Sequence, residues 1–584
     1  MEHRERISVE GLFQIRQSSM VHDVVVVGSG AGGGTVAKVL TDLGIRVTML
    51  EAGPMLDPAK DFKMFAWPYS LDHRGLGPGC ELYFRKGISR PLNYFSAPNG
   101  AWEIKGEPYT VAEGSKFTWF RSRILGGRTN HYGRISLRFA DYDFKSYSRD
   151  GLGTDWPITY DELAPYYDKV EDFIGVFGSR EGLRGAPDGK FLPPPPPRAH
   201  ELLMKRACQK LNIPCIPARL AILTRNHNGR PKCHYCAQCG RGCTAGANYS
   251  SSQVQIFPAM KTGRLRVINN AMAREILTDG AGKVSGLSYI DKTTRTEKQI
   301  RCRVLILAAS ACESARLLLN SKGAGYANGL ANGSGQVGRN LTDSIGFTVS
   351  GHIPALEGMP IYNSDGVGGM HVYVPWWLPE KSGIDFPRGY HIELGGGFHM
   401  PAAGAFRGVC QSHEGYGTDL KRAIRSRYGT EVSFAGRGEM IPNNRTFCEI
   451  DPSVVDQWGI PVLRFHWQYS DNEVRQAQHM HDTFGSIIEA MGGTAAAKMT
   501  PSQAAEKIAV GGQHIHEVGT VRMGSSRETS VLNKYSQTHE VKNLFVADGG
   551  PFVSNPDKNP TLTICALAWR AAEYVAEEMR KGNV

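Results

Sequence analysis

Apolar positions fall into blocks whose spacing predicts the elements. Val24 to Val27 are four β-branched residues in succession, the mark of a strand covered on both faces. Three glycines follow, Gly28, Gly30 and Gly33, then a helical stretch from about Thr35 to Leu43 that Gly44 ends. The segment IRVTMLE is a second strand closing on Glu51. Residues 303–321 repeat the order of continuous apolar strand, small-residue turn and helix, and so does the end of the chain from Asn543. Between these blocks, Thr159 opens an aromatic-rich helix, and five consecutive prolines form a stiff spacer before another helix. From about 345 to 500 short aromatic strands alternate with Gly and Pro turns, the pattern of a mainly antiparallel sheet. No internal repeat interrupts this order.

The first block carries chemistry. In G-x-G-x-x-G, Gly28 allows a tight turn, Gly30 lets main chain approach a pyrophosphate, and Gly33 lets the helix pack on the strand. The helix N-terminus turns free N–H groups and a positive dipole end towards phosphate. Glu51, at the tip of the second strand, can accept both hydroxyls of an adenosine ribose, which argues against a 2′-phosphate and leaves FAD and NAD.

Composition narrows the picture. At 584 residues the chain is too long for one core, and 41% apolar with 21% charged residues excludes a largely disordered protein. The net charge of +11 is thinly spread, with no basic run resembling a nucleic-acid arm, so no nucleic-acid partner is expected. No apolar stretch approaches bilayer length, so no transmembrane segment is expected, and the charged first twenty residues lack a secretory apolar region. The 68 glycines suit an enzyme wrapped around a large cofactor.

Of 12 cysteines, four cluster as Cys233, Cys236, Cys239 and Cys243 in the spacing C-x2-C-x2-C-x3-C. This is the spacing of bacterial ferredoxins, although Thr244 stands where a proline usually follows. Thiolates so close on a loop can converge on an iron–sulfur core; a structural zinc or, in an exported protein, disulfides are the alternatives. Zinc sites more often pair two C-x2-C knuckles across a long spacer.

Residues 514–524 read HIHEVGTVRMG, and Asn559, Pro560 and Thr561 follow near the end. Together with GSGAGGG, RILGGRTNHYG (123–133) and the terminal DGG, these segments resemble the glucose–methanol–choline (GMC) family of FAD oxidoreductases along essentially the whole chain. The resemblance implies an α/β fold: a Rossmann-like, discontinuous FAD-binding domain (20–345 and 506–584, with the cysteine insertion at about 225–250) and an α+β substrate domain (346–505) on a mainly antiparallel sheet. It implies that His516 is the catalytic base; His514, two residues away and so on the same face if the segment is extended, is its main rival. Asn559 matches the partner position that binds the substrate oxygen. FAD contacts are implied for Gly126, Gly127, Asn130 and His131 in the loop beside the flavin ring, and for Ala273, Asp548, Gly549, Pro560 and Thr561. His131 is the candidate for a covalent bond to the flavin.

The cysteine cluster makes the chain look like catalytic subunits of multi-subunit sugar dehydrogenases, the gluconate, FAD-glucose and glucoside 3-dehydrogenases. In part of that group three cysteines, matching Cys233, Cys239 and Cys243, bind a 3Fe–4S cluster, while Cys236 makes 4Fe–4S possible. The expected reaction is oxidation of a secondary alcohol of a sugar, with C3 of glucosides favoured, electrons leaving to a c-type cytochrome. A small companion subunit carrying an export signal would place the enzyme in the periplasm; a cytoplasmic enzyme is the alternative. Trp376 and Trp377 are candidates for stacking a sugar ring, with core packing the competing role. An oxygen-reducing oxidase is the alternative function.

Overall fold

A computed structural model describes residues 16–67, 70, 100–101, 103–323, 325–360, 366–378, 383–398, 409–410, 413–494 and 497–584. Its first sheet has seven strands. At its centre β1 (Arg16–Val27) lies parallel to β2 (Val47–Leu50) on one side and to β6 (Thr296–Leu307) on the other. β3 (Leu265–Ile268) extends it beyond β2, and the antiparallel pair β4 (Ala271–Thr278) and β5 (Val284–Asp291) beyond β6. The two ends of β6 have different neighbours on that side: Thr296–Arg301 pairs with β5, while Leu305–Leu307 pairs in parallel with β11 (Leu544–Val546). The C-terminal block is thus built into the first sheet.

The valine run behaves as its composition demands. Val24 and Val26 enter one apolar cluster and Val25 and Val27 another, on opposite faces of the sheet. Helix α1 (Ala31–Asp42) and α5 (Thr561–Lys581) pack together over the first of these faces. α1 starts four residues before the expected Thr35. Glycine's poor intrinsic propensity argues against helix at Gly32–Gly34, but close packing overrides it: a Cβ on Gly32 would lie 1.5 Å from the Ala547 carbonyl oxygen. α2 (Tyr160–Ile174) opens where expected, on a capping box in which Thr159 Oγ1 accepts from the Glu162 N–H at 3.3 Å. α3 (Ala311–Asn320) follows the turn after β6. The five prolines form neither helix nor strand.

The second sheet is antiparallel, β7 (Ile345–His352), β10 (Glu431–Gly438), β9 (Tyr390–Gly396) and β8 (Val372–Val374) in that order. A fifth strand, Ile216–Pro217, comes from far earlier in the chain and pairs with β8. On β9, Tyr390, Ile392 and Leu394 point into the core, which sends His391 and Glu393 to the other face. Helix α4 (Asp471–Ala490) packs across β7 and β10, with Met480 against Gly436. Among the described residues no helix is long and apolar enough to cross a membrane.

Candidate active site

A cavity of about 420 Å³ lies between the C-terminal ends of β1 and β2, the turn after β6, and strands β9 and β10 of the second sheet. Its Gly28 end is mostly main chain. Gly28 has φ +99°, and a Cβ there would sit 2.3 Å from the Ala308 carbonyl oxygen; one on Gly33 would sit 2.0 Å from that of Gly28. Gly30 differs, because a Cβ there would meet nothing within 4 Å, and that open side faces the cavity at the start of α1. Glu51 lines the cavity and is 6% exposed. Its Oε1 accepts the Gly53 N–H at 2.8 Å and its Oε2 the Ser29 hydroxyl. Burial raises its pKa, against the pull of those hydrogen bonds.

Ala273, Asp548, Gly549, Pro560 and Thr561 also line the cavity. Asp548 accepts from the Ser314 hydroxyl at 2.6 Å and from the Gly550 N–H at 2.7 Å, and burial pushes its pKa up to about 6. In the loop 126–133, Gly127 and His131 reach the cavity. The His131 Nε2 lies 2.9 Å from Ser122 Oγ, and burial, then Arg134, pushes the imidazole down to about 3.

Side chains from separate segments meet at the other end. His516 Nε2 and Asn559 Nδ2 are 3.4 Å apart, and His516 Nδ1 is 2.8 Å from Ser344 Oγ. Asn559 Nδ2 also donates to Glu393 Oε1 at 3.3 Å, while its buried Oδ1 finds no partner among the described residues. Glu393 Oε2 pairs with Arg437 Nη2 at 2.9 Å, and Oε1 faces His391 Nε2 at 3.2 Å. Arg437 is the largest of the charges that hold the Glu393 carboxyl well below the usual range despite burial. Burial and then Arg437 push His516 down to about 3, with Glu393 opposing.

Three of the expected residues stand behind the cavity lining. Gly33, Gly126 and Asn130 do not line the cavity; they shape its wall. The Gly126 N–H donates to Ser29 Oγ at 2.8 Å, and Asn130 Nδ2 donates to the Gly127 carbonyl at 2.9 Å. The HIHEV segment is a turn rather than an extended strand, with Ile515 at φ +63°. His514 still reaches the cavity, but its ring lies over Gly346 and its buried Nε2 finds no partner among the described residues, whereas Asn559 meets the ring of His516. Trp376 and Trp377 stand away from the cavity in an aromatic group with Tyr390. Ser344, Glu393 and Arg437 carry no local motif. The one available signal was on β9, where alternation puts His391 and Glu393 together opposite a core face.

The cysteine loop lies apart from the cavity lining. Cys233 and Cys243 are buried over a small core with Leu223, Val367 and Met370. Burial, then the neighbouring cysteines, pushes the Cys233 thiol up to about 12. Among the described residues no three His, Cys, Asp or Glu side chains come together as a metal-ligand set, Cys233, Cys236, Cys239 and Cys243 included. Cys236, Cys239 and Cys243 all lie near enough to Cys233 to act on its charge.

The cavity suits an adenine dinucleotide by its own features. It offers the open side of Gly30 at a helix N-terminus and a carboxylate at the ribose position. It also holds Arg121, 3% exposed, whose Nε and Nη1 donors find no partner among the described residues.

Family comparison agrees with this geometry. Residues 22–345 and 442–568 match the N- and C-terminal models of the GMC oxidoreductases. The chain is 29% identical to a 2-methyl-1,2-propanediol dehydrogenase of Mycolicibacterium austroafricanum, over 95% of each chain. It is 27% identical to the fructose dehydrogenase large subunit of Gluconobacter japonicus, over 96% of this chain and 98% of that one. In three dimensions it resembles pyridoxine 4-oxidase from Mesorbium loti, with a TM-score of 0.60 at 18% identity, over 95% of this chain and 99% of that one.

Proposed function

Because the chain belongs to the GMC oxidoreductase family, and so to the FAD-dependent enzymes acting on CH–OH donors, we propose that it is a dehydrogenase of a sugar's secondary alcohol, with C3 of glucosides as the favoured position. The contact between His516 and Asn559, at 3.4 Å on the cavity wall, carries the reading. When bound, FAD supplies the acceptor for the hydride leaving the carbon. Gly28, Gly30, Glu51, Gly127, His131, Ala273, Asp548, Gly549, Pro560 and Thr561 would hold it. The residue ranges 20–345 and 506–584 serve as the cofactor domain and 346–505 as the substrate domain.

His516 handles the proton. With its Nδ1–H donated to Ser344 Oγ, an assignment made from the hydrogen bonds, the unprotonated Nε2, which accepts from Asn559 Nδ2 at 3.4 Å, is the atom that takes the proton of the substrate hydroxyl. Burial keeps the ring neutral, and the facing Glu393 carboxylate favours the imidazolium that forms once the proton arrives. Asn559, tethered to Glu393, orients the reacting oxygen. The Glu393–Arg437 pair supports a polyhydroxylated substrate, since it places a carboxylate and a guanidinium beside the base where a hydroxyl-rich molecule can bond to both.

Cysteine spacing supports a further part of the reading: an iron–sulfur cluster passing electrons to a cytochrome-type acceptor, in a periplasmic enzyme exported with a small companion subunit. The likeness to the large subunit of a fructose dehydrogenase supports such a companion. One experiment tests both parts. Anaerobically purified protein is assayed for iron and sulfide, and its visible spectrum is recorded before and after methyl α-D-glucopyranoside. Flavin bands that bleach with the glucoside, in protein containing iron and sulfide, are expected. Bleaching only with a different alcohol overturns the glucoside, and protein free of iron that consumes oxygen with the sugar is an oxidase.

A further inference from the structure

We infer that Asp343 is the positioning residue for the His516 imidazole: its carboxylate grips the main chain on both sides of Ile515 and so fixes the turn that aims His516 into the cavity. This rests on the reading of His516 as the base. Asp343 is fully buried and does not line the cavity, so it touches neither substrate nor cofactor and acts through the turn. Its Oδ1 accepts the His516 N–H at 2.9 Å and the Ser344 N–H at 2.8 Å; its Oδ2 accepts the His514 N–H at 3.2 Å.

The grip has something to oppose. Ile515 is β-branched yet sits at φ +63°, a conformation that costs on the order of 1–3 kcal/mol and persists only where surroundings enforce it. The Asp343 carboxylate bonds the N–H groups of both flanking residues. Arg128, ion-paired with Glu517, adds a longer contact from Nη1 to the Ile515 carbonyl at 3.4 Å. Ser344, the next residue, holds the ring of the same histidine at Nδ1. Two consecutive residues therefore fix one catalytic side chain, Asp343 through its main chain and Ser344 through its imidazole.

The charge state of Asp343 follows from what faces it. Burial first, then Glu517, raises its pKa, against the three N–H donors, to about 7. Tyr469 and Arg128 also face it, from the segment after the 461–466 strand and from the loop 126–133. His514 and His516, on the gripped turn, are both driven to the neutral form by burial. Protonation turns one acceptor oxygen into a donor facing an N–H, which loosens the grip. Alcohol oxidation should therefore rise with pH through neutrality as Asp343 ionises, whereas His516, pushed down to about 3, does not titrate there.

Anaerobic flavin reduction by methyl α-D-glucopyranoside, or by the alcohol that bleaches the flavin best, tests this across neutral pH in D343N and H516A. D343N should retain FAD and leave KM nearly unchanged, lose roughly ten- to a hundred-fold in reduction rate, and lose the neutral limb. D343N with the wild-type rate and limb, beside an inactive H516A, overturns the inference and leaves the base standing. An active H516A removes the base itself. Should D343N fail to fold, D343E decides: moving the carboxyl by one methylene should slow reduction and displace the neutral limb, whereas an unmoved limb belongs to another carboxyl such as Asp548, itself pushed up to about 6, and overturns the assignment.

Discussion

At the Gly28 end of the cavity the walls are main chain, set by how closely α1 can lie on β1 and beside the turn after β6; at the His516 end they are side chains brought by β9, β10 and the segments around 344, 516 and 559. The first end recognises what dinucleotides share, phosphate and ribose, and tolerates almost no added atom. The second recognises one functional group and depends on polarity and hydrogen-bond direction. A Cβ is the sharpest probe of one end, and an isosteric polar swap of the other.

The largest expected effect is at the main-chain end. Gly33→Ala forces a Cβ to 2.0 Å from the Gly28 carbonyl oxygen and should abolish soluble folded protein, measured by yield and melting temperature. Gly30→Ala, whose Cβ meets no protein atom within 4 Å, should fold with nearly normal apoprotein melting but release FAD on gel filtration. Equal behaviour of the two would break the distinction between packing glycine and ligand-facing glycine.

At the side-chain end the order of damage reverses, with folding kept and chemistry lost. His516→Ala should reduce alcohol-driven flavin bleaching by about 10²–10⁴-fold at unchanged FAD content. Glu393→Gln keeps the shape but removes the charge facing His516 and Arg437, and should cost roughly tenfold in rate, with KM rising more for sugars than for simple alcohols. An unchanged sugar preference would show that the pair does not read the substrate.

The smallest effect is on stability against pH. His131 is held near 3 when folded, against 6.5 as the ordinary value, so the folded state binds fewer protons in that window. Its contribution is complete above 6.5 and is lost as pH falls towards 3. His131→Gln, which cannot ionise, should narrow the fall in melting temperature between neutral and mildly acidic buffer, read by differential scanning calorimetry.

What was legible in the sequence divides along the same line. The run from Val24 through Glu51 could be read directly because strand, turn and helix are contiguous, and the constraints on each glycine are local. His516 and Asn559 were legible only through a resemblance. Ser344 and Arg437 were not legible, and Glu393 only as an alternate position on β9, because each gains its role from a pairing of β9, β10 and the 344 region with the C-terminal segment, and nothing local encodes that pairing. Gly126 and Asn130 stand behind Gly127 and His131 in the same loop, since a loop motif does not say which of its members face inward. The cysteine spacing was the plainest pattern of all, because all four thiols fall on one short loop and need no long-range pairing to become neighbours.

The parallel pairing of Leu305–Leu307 with Leu544–Val546 also bears on how the molecule is made. The two segments are about 240 residues apart. At roughly 5–20 residues per second, a ribosome takes on the order of ten to fifty seconds to deliver the second after the first. Throughout that interval the C-terminal end of one β6 edge, Leu305–Leu307, lacks its partner, while the second sheet is emerging between them. A nascent chain in this state has an open strand edge beside apolar residues, which is a reason to expect chaperone dependence, and sensitivity to slow codons placed before Leu544.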